Sequence, residues 1–182
     1  MYKELMIAGW GGQGCLAAAE LIALVAFHAD KHVVSTSSYG PESRGGFCKG
    51  CIFVSDEEIY SPVMTRPDTL IVMSADAFRK YISWVKPGGL IIVNSSVIKE
   101  KIARDDIEII YIDALNIANQ LGRDIVANVV LLGAYLAKEK IFSVEDVVKE
   151  IAMVFDKKED KDELVRINKL ALERGAQEVL TK

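Results

Sequence analysis

Leu5-Met6-Ile7-Ala8 is a short apolar run that stops at glycines, and an alanine- and leucine-rich stretch follows without a breaker until about Asp30. A short apolar run bounded by turn residues reads as a strand and a long one as a buried helix. The spacing therefore predicts strand, tight turn and buried helix, the opening of a parallel α/β fold. A second strand is predicted over His32 to Thr36. The segment Ser37 to Gly46 then packs three glycines and a proline together, which marks a loop with unusual backbone demands. Phe47 to Ser55 predicts a third strand. The polar reversal at Asp56-Glu57 into Glu58-Ile59-Tyr60 predicts a hairpin there, so the sheet is expected to be mixed.

Alternation returns further on. A strand is predicted over Thr69 to Met73, a helix over Ala75 to Val85, a turn at Pro87-Gly88-Gly89, and strands over Leu90 to Asn94 and Ile107 to Ile112. From Asp113 onward the pattern is helical: Ala114 to Leu121, Ala127 to Lys138, Val144 to Val154 and Leu164 to Leu180. Ser143 and Asp146 stand at capping-box spacing, a helix start. The mixed-sign run Asp156 to Glu163 reads as a solvated linker or first helical turn. The expected fold class is α/β: a three-layer α/β/α, Rossmann-like arrangement around a mixed, mostly parallel sheet, with a helical C-terminal third.

Composition narrows the class. A chain of 182 residues suits one domain spanning 1–182. Its 22 basic and 26 acidic residues give a net charge of -4, which supplies no positive field for nucleic acid. The apolar run Cys15 to Ala29 is broken by Glu20 and His28 and falls short of the ~20 residues that a bilayer crossing needs, so no membrane role is expected. No charged n-region leads a secretory segment, and the three cysteines form an odd set that fits free thiols in a reducing compartment; the expected location is the cytoplasm.

Two segments carry candidate chemistry. Gly9-Trp10-Gly11-Gly12-Gln13-Gly14 follows a predicted strand and opens a predicted helix, where backbone amides and the positive helix end can hold an anion. A dinucleotide fold would place an acid at the end of the second strand for the ribose hydroxyls; here that strand ends in Ser35 and Thr36. Three readings stay open: dinucleotide binding, a tight turn with close packing, and a loop approached by a phosphate or a partner's backbone. In Tyr39-Gly40-Pro41-Glu42-Ser43-Arg44-Gly45-Gly46, Arg44 can offer a planar fork to a carboxylate or phosphate, or simply pair with Glu42 at the surface.

The remaining residues do not assemble a site. Cys48-Lys49-Gly50-Cys51 has C-x-x-C spacing without a second pair, and residues three apart on a strand point to opposite faces. His28 and His32 have no nucleophile beside them, and Tyr81 and Trp84 read as core or interface packing. Neither catalytic residues nor a metal site is expected.

The glycine loop, the loop from Ser38 through Arg44-Gly45-Gly46, and Lys86-Pro87-Gly88-Gly89 with Asn94-Ser95-Ser96 resemble the gamma subunit of 2-oxoacid:ferredoxin oxidoreductases in order and spacing. Val126-Ala127-Asn128, Leu132-Gly133-Ala134 and the tail Leu170 to Ala176 extend the resemblance over nearly the whole chain. The overall pattern is most similar to the 2-oxoglutarate type. Departures occur at Trp10, Ser43 and Cys48, and none removes a glycine.

The resemblance implies a complex that decarboxylates a 2-oxoacid on thiamine diphosphate, passes two electrons through iron-sulfur clusters to ferredoxin, and transfers the acyl group to coenzyme A. It implies alpha, beta and ferredoxin-like delta partner subunits, with ferredoxin as electron acceptor. Those cofactors are expected on other subunits, and this chain alone is expected to bind none and to be inactive. The residues expected to meet coenzyme A or a partner subunit are Gly9, Gly11, Gly12, Gln13, Gly14, Tyr39, Glu42, Arg44, Gly45 and Gly46. The alternatives are a free-standing nucleotide-binding oxidoreductase using the first glycine loop, and an assembly module without ligand contact.

Overall fold

The structure is a computed structural model that describes residues 1–40, 46–101 and 104–181. Strand β1 (Tyr2–Trp10) leads to helix α1 (Cys15–His28), then β2 (His32–Tyr39), β3 (Phe47–Ser55) and β4 (Thr69–Val72). Helix α2 (Ala75–Tyr81), β5 (Leu90–Asn94) and β6 (Glu108–Ile112) follow, and α3 (Ala114–Gln120), α4 (Ala127–Glu139), α5 (Val144–Val154) and α6 (Lys161–Leu180) complete the chain. One sheet takes the order β2-β3-β1-β4-β5-β6. Pairing is parallel from β1 through β6, and antiparallel where β3 lies between β2 and β1.

Alternation along each strand divides the core in two. Leu5 and Ile7 face one layer, which α1 and α3 to α6 cover; Met6 and Ala8 face the other, where α2 is the covering helix. The expected mixed α/β architecture with a helical C-terminal third is therefore the one observed. Ser143 caps α5 with its side chain, and Asp146 returns the bond to the Ser143 backbone, as the spacing predicts. The charged run divides as linker and helix, since α6 begins at Lys161.

The expected hairpin at Asp56-Glu57 is not formed. Residues 56–60 are bends and irregular backbone, because both edges of β3 are already filled by β1 and β2. The polar reversal ends β3 but has no open edge to pair with. β1 and β2 run further than their apolar cores suggest, because the β3 ladder continues to Trp10↔Phe47 and Tyr39↔Cys48. Residues 37–39, expected in a loop, thus end a strand. The helix expected to reach Val85 ends at Tyr81 and tightens into a 3-10 turn over Ile82–Trp84.

Two glycines set the C-terminal packing. A Cβ on Gly133 of α4 would lie 2.0 Å from the Leu172 carbonyl oxygen, and one on Gly175 of α6 would lie 1.8 Å from that of Val130. The pairing of 133 with 172 and 130 with 175 is an antiparallel crossing in which backbone meets backbone. At the other end of the layer, His28 Nδ1 meets the buried Glu150 Oε2 of α5 at 2.6 Å, so this histidine is satisfied by a hydrogen bond.

Candidate functional site

β1 and β4 are parallel neighbours, yet the helices that follow them pack on opposite faces of the sheet. Such a divergence opens a crevice beyond the carboxyl ends of the strands, where α/β proteins bind ligands. The first glycine loop leaves β1 at this point.

Its geometry is fixed from several sides. Gly11 donates its N–H to the Gly46 carbonyl at 2.8 Å, and Gly40 donates to Phe47 O at 2.6 Å, so the two glycine-rich segments meet at one rim of the sheet. Trp10 donates to Gln13 Oε1 at 2.7 Å, while Gln13 Nε2 donates to the Met73 carbonyl at 2.9 Å. Gln13 thereby ties the loop to the end of β4. Gly14, at φ 75, is the N-cap of α1, and Asn128 Nδ2 of α4 donates to its carbonyl at 3.1 Å. Gly12 has φ 92 and open space where a Cβ would stand.

The residues expected to receive a ligand therefore separate. The amides of Gly11 and Gln13 are spent within the protein, the latter on Trp10 O at 3.2 Å. Those of Gly12 and Gly14 have no partner among the described residues, and α1 starts without a side-chain cap or an acidic residue in its first turn. Gly9 is packed tightly, since its Cβ would meet Gln13 Oε1 at 2.5 Å and Cys15 Sγ at 2.7 Å. Tyr39 is 69% exposed at the end of β2, and Gly46 is buried beneath Gly11. Glu42, Arg44 and Gly45 lie outside the described residues.

Gly12 and Gln13 also line a cavity of about 270 Å³, together with Met73, Asn94, Val97, Leu115, Asp124, Ile125 and Ala127. Asn94 and Asn128, quoted above only for the resemblance, turn out to be site residues. Each is a buried amide at the end or start of an apolar element, and such a polar group needs a bonding partner. That was the signal in the sequence.

The cysteines are divided by the sheet. Cys48 shares a layer with Cys15, and Cys51 faces the opposite layer. Contact with Cys48 and burial push the Cys15 thiol up, and burial pushes up that of Cys51. Among the described residues no group of three metal-ligating side chains comes together. This donor set does not fit an iron-sulfur cluster. Above the second layer, Lys80 Nζ lies 4.8 Å from the Phe47 ring, which stacks at 4.9 Å on Trp10, while Tyr81 and Trp84 meet edge to face at 5.1 Å as packing partners. No helix among the described residues is long and apolar enough to cross a membrane.

Strand order bears on the dinucleotide alternative. In that fold the second strand lies directly beside the first, so that its terminal acid reaches the ribose. Here β3 separates β2 from β1, and β2 ends in Ser37-Ser38-Tyr39.

Comparison with known proteins agrees with this geometry. Residues 4–178 match the family model described as pyruvate ferredoxin/flavodoxin oxidoreductase. A 2-oxoglutarate synthase subunit KorC of Methanocaldococcus jannaschii is 34% identical over 172 residues, which cover 93% of this chain and 92% of that one. The crystal structure of a keto/oxoacid ferredoxin oxidoreductase gamma subunit from Geobacter sulfurreducens superimposes with TM-score 0.81 at 30% identity, covering 99% of each chain. The fold also recurs, at 20% identity and TM-score 0.89, over 100% of this chain and 31% of a longer chain of 2-oxoglutarate:ferredoxin oxidoreductase from Magnetococcus marinus. With a family match that runs almost from end to end and a rim built from the glycine segments that carried the resemblance, the chain belongs to the pyruvate ferredoxin/flavodoxin oxidoreductase family as a gamma-type subunit of a 2-oxoacid:ferredoxin oxidoreductase.

Proposed function

We propose that this chain works in a cytoplasmic complex that converts a 2-oxoacid, 2-oxoglutarate by its similarity to KorC, and coenzyme A into acyl-coenzyme A and carbon dioxide while ferredoxin takes up two electrons. Thiamine diphosphate and the iron-sulfur clusters belong to the alpha, beta and ferredoxin-like delta subunits. The contribution of this chain is its rim, which receives the phosphates of coenzyme A at a subunit interface. Arg44 retains its place in the proposal on sequence grounds alone.

The observation that carries this reading is the pair of unspent amides at Gly12 and Gly14, set at the uncapped start of a 14-residue helix and at the mouth of the crevice. Amides and helix dipole together favour a negatively charged group, and the first turn holds no carboxylate to compete for them. The Magnetococcus marinus enzyme has a solved structure with coenzyme A bound, which makes this ligand the natural one to test.

Gly12→Ala probes the cradle with little effect on the core. An added Cβ meets nothing within 4 Å, but φ 92 is a conformation that alanine resists, so the amide turns away. In the assembled complex the apparent KM for coenzyme A is expected to rise at least ~10-fold, the loss of roughly one charge-assisted hydrogen bond. An unchanged KM in a complex of normal composition would remove the assignment.

A further inference from the structure

Strand β2 ends one side of the sheet, and its outer edge is unguarded. Proteins ordinarily blunt a free edge with charge, proline, a bulge or a short strand. β6, at the opposite side, follows this rule: it has five residues and opens on Glu108, which pairs with Lys138 at 2.6 Å. β2 has eight residues, keeps an unbroken register with β3, and holds neither a charged residue nor a proline from Val33 to Tyr39. Ser35 to Tyr39 are exposed, as are Tyr60 and Val63 in the connection after β3.

The ladder decides which backbone groups stand open. Gly40 donates to the Phe47 carbonyl, and hydrogen-bonded pairs alternate along an antiparallel ladder, so Ser38, Thr36 and Val34 turn toward β3. Val33, Ser35, Ser37 and Tyr39 turn both N–H and C=O outward, where no partner meets them among the described residues.

Beside this edge, on the face of the second layer, lies a pocket of about 210 Å³ lined by Thr36 and Ser38 of β2, Lys49 and Cys51 of β3, and Val63. Its polar groups are of one kind. Lys49 is half-buried, with Nζ 5.1 Å from the Trp84 ring and 5.5 Å from that of Tyr81, and it forms no ion pair among the described residues. Lys80 Nζ reaches the same Tyr81 ring at 5.4 Å and likewise has no carboxylate beside it among the described residues. Ring faces neutralise an ammonium only in part, and both ammonium groups and both hydroxyls can donate to an anion.

We propose that the edge of β2 takes up an extended acidic segment of another subunit of the complex, which adds a seventh strand to the sheet and sets a carboxylate against Lys49. Strand addition draws affinity from main-chain hydrogen bonds and selectivity from pockets that receive alternate side chains, and this edge offers both. A second copy of this chain fits less well, because β2 has no carboxylate from His32 to Tyr39 and would bring no acid to Lys49. Nothing in this docking requires coenzyme A at the glycine rim.

Hydrogen exchange tests the edge without any substitution. The amides of Ser35, Ser37 and Tyr39 are expected to exchange at least ~10-fold more slowly in the assembled complex than in the full chain alone. Two variants test the chemistry. Ser37→Pro deletes an outward N–H without removing a bond to β3, and Lys49→Glu reverses the charge in the pocket. Each is expected to raise the Kd of this chain for the remaining subunits at least ~10-fold, and added salt should narrow the difference for Lys49→Glu but not for Ser37→Pro. Equal exchange in the chain and the complex, or parental affinity in both variants, would overturn the proposal. Protection of residues 33–39 that develops on concentrating this chain alone would overturn it as well, since it would give the edge to a second copy.

Discussion

Gly175→Val is expected to yield no folded chain, and even Gly175→Ala is expected to lower the melting temperature by roughly 6–12 °C, which corresponds to about 3 kcal/mol for a chain of this size. The reason is the obstacle. An added Cβ would stand 1.8 Å from the Val130 carbonyl oxygen, and a carbonyl within a helix cannot rotate aside as a side chain does. Relief requires α4 and α6 to separate, and Val130, Leu131, Leu132, Ala171 and Leu172, all buried at this crossing or beside it, would lose their packing. Overpacking a core costs ~1–3 kcal/mol when side chains can adjust, so a rigid clash belongs at or above the upper end, within a total stability of about 5–15 kcal/mol. Thermal unfolding of the two variants, with exposed Lys169→Ala as a control, measures this. A melting temperature for Gly175→Ala within ~2 °C of the parent would mean that the crossing is looser than described.

Gly14→Ala is the second large effect, and it couples stability to the rim. Residue 14 has φ 75, a conformation that costs a residue with a Cβ about 1–2 kcal/mol, and that Cβ would lie 2.5 Å from Asn128 Nδ2. A loss of about 2–3 kcal/mol is expected in all. Asn128→Ala alone should cost about 1 kcal/mol through the hydrogen bond to the Gly14 carbonyl. In the double variant the clash is absent, so the combined loss should fall short of the sum by roughly 1 kcal/mol. Denaturant unfolding of the four proteins closes the cycle; strict additivity would show that Asn128 does not hold the start of α1.

Much of the fold was legible because burial writes itself into local pattern. Leu5 to Ala8, Leu90 to Asn94 and the uninterrupted stretch that becomes α1 were read correctly from run length and breakers alone, and the opposite orientations of Cys48 and Cys51 followed from strand parity. Strand partners were not legible. The pattern of Phe47 to Ser55 says that both its faces are covered, but nothing in it says that both its edges are occupied, and from that gap came the hairpin at Asp56-Glu57 that does not exist. β1 outran its apolar centre for the same reason: cross-strand hydrogen bonds hold Tyr2 and Trp10 whether or not the residues are buried.

At the rim, the sequence located the glycines but not their division of labour. Gly11 and Gly12 look alike on paper. One amide is spent on Gly46 and the other is free, a distinction made by a segment that lies more than thirty positions away. Asn94 and Asn128 were visible as amides in apolar company, yet their roles depend on which strand end and which helix start converge beside the loop. Gly133 and Gly175 fall in stretches that carried the resemblance, and the physical demand on them comes from carbonyls of a different helix.

The assembled complex is expected to bring coenzyme A to this chain's glycine rim. Hydrogen-deuterium exchange of the complex, with and without coenzyme A, tests it at the amides concerned. Slower exchange across residues 9–17, centred on Gly12 and Gly14, is the predicted result. Protection confined to other subunits, with exchange at this rim unchanged by a saturating ligand, would contradict it.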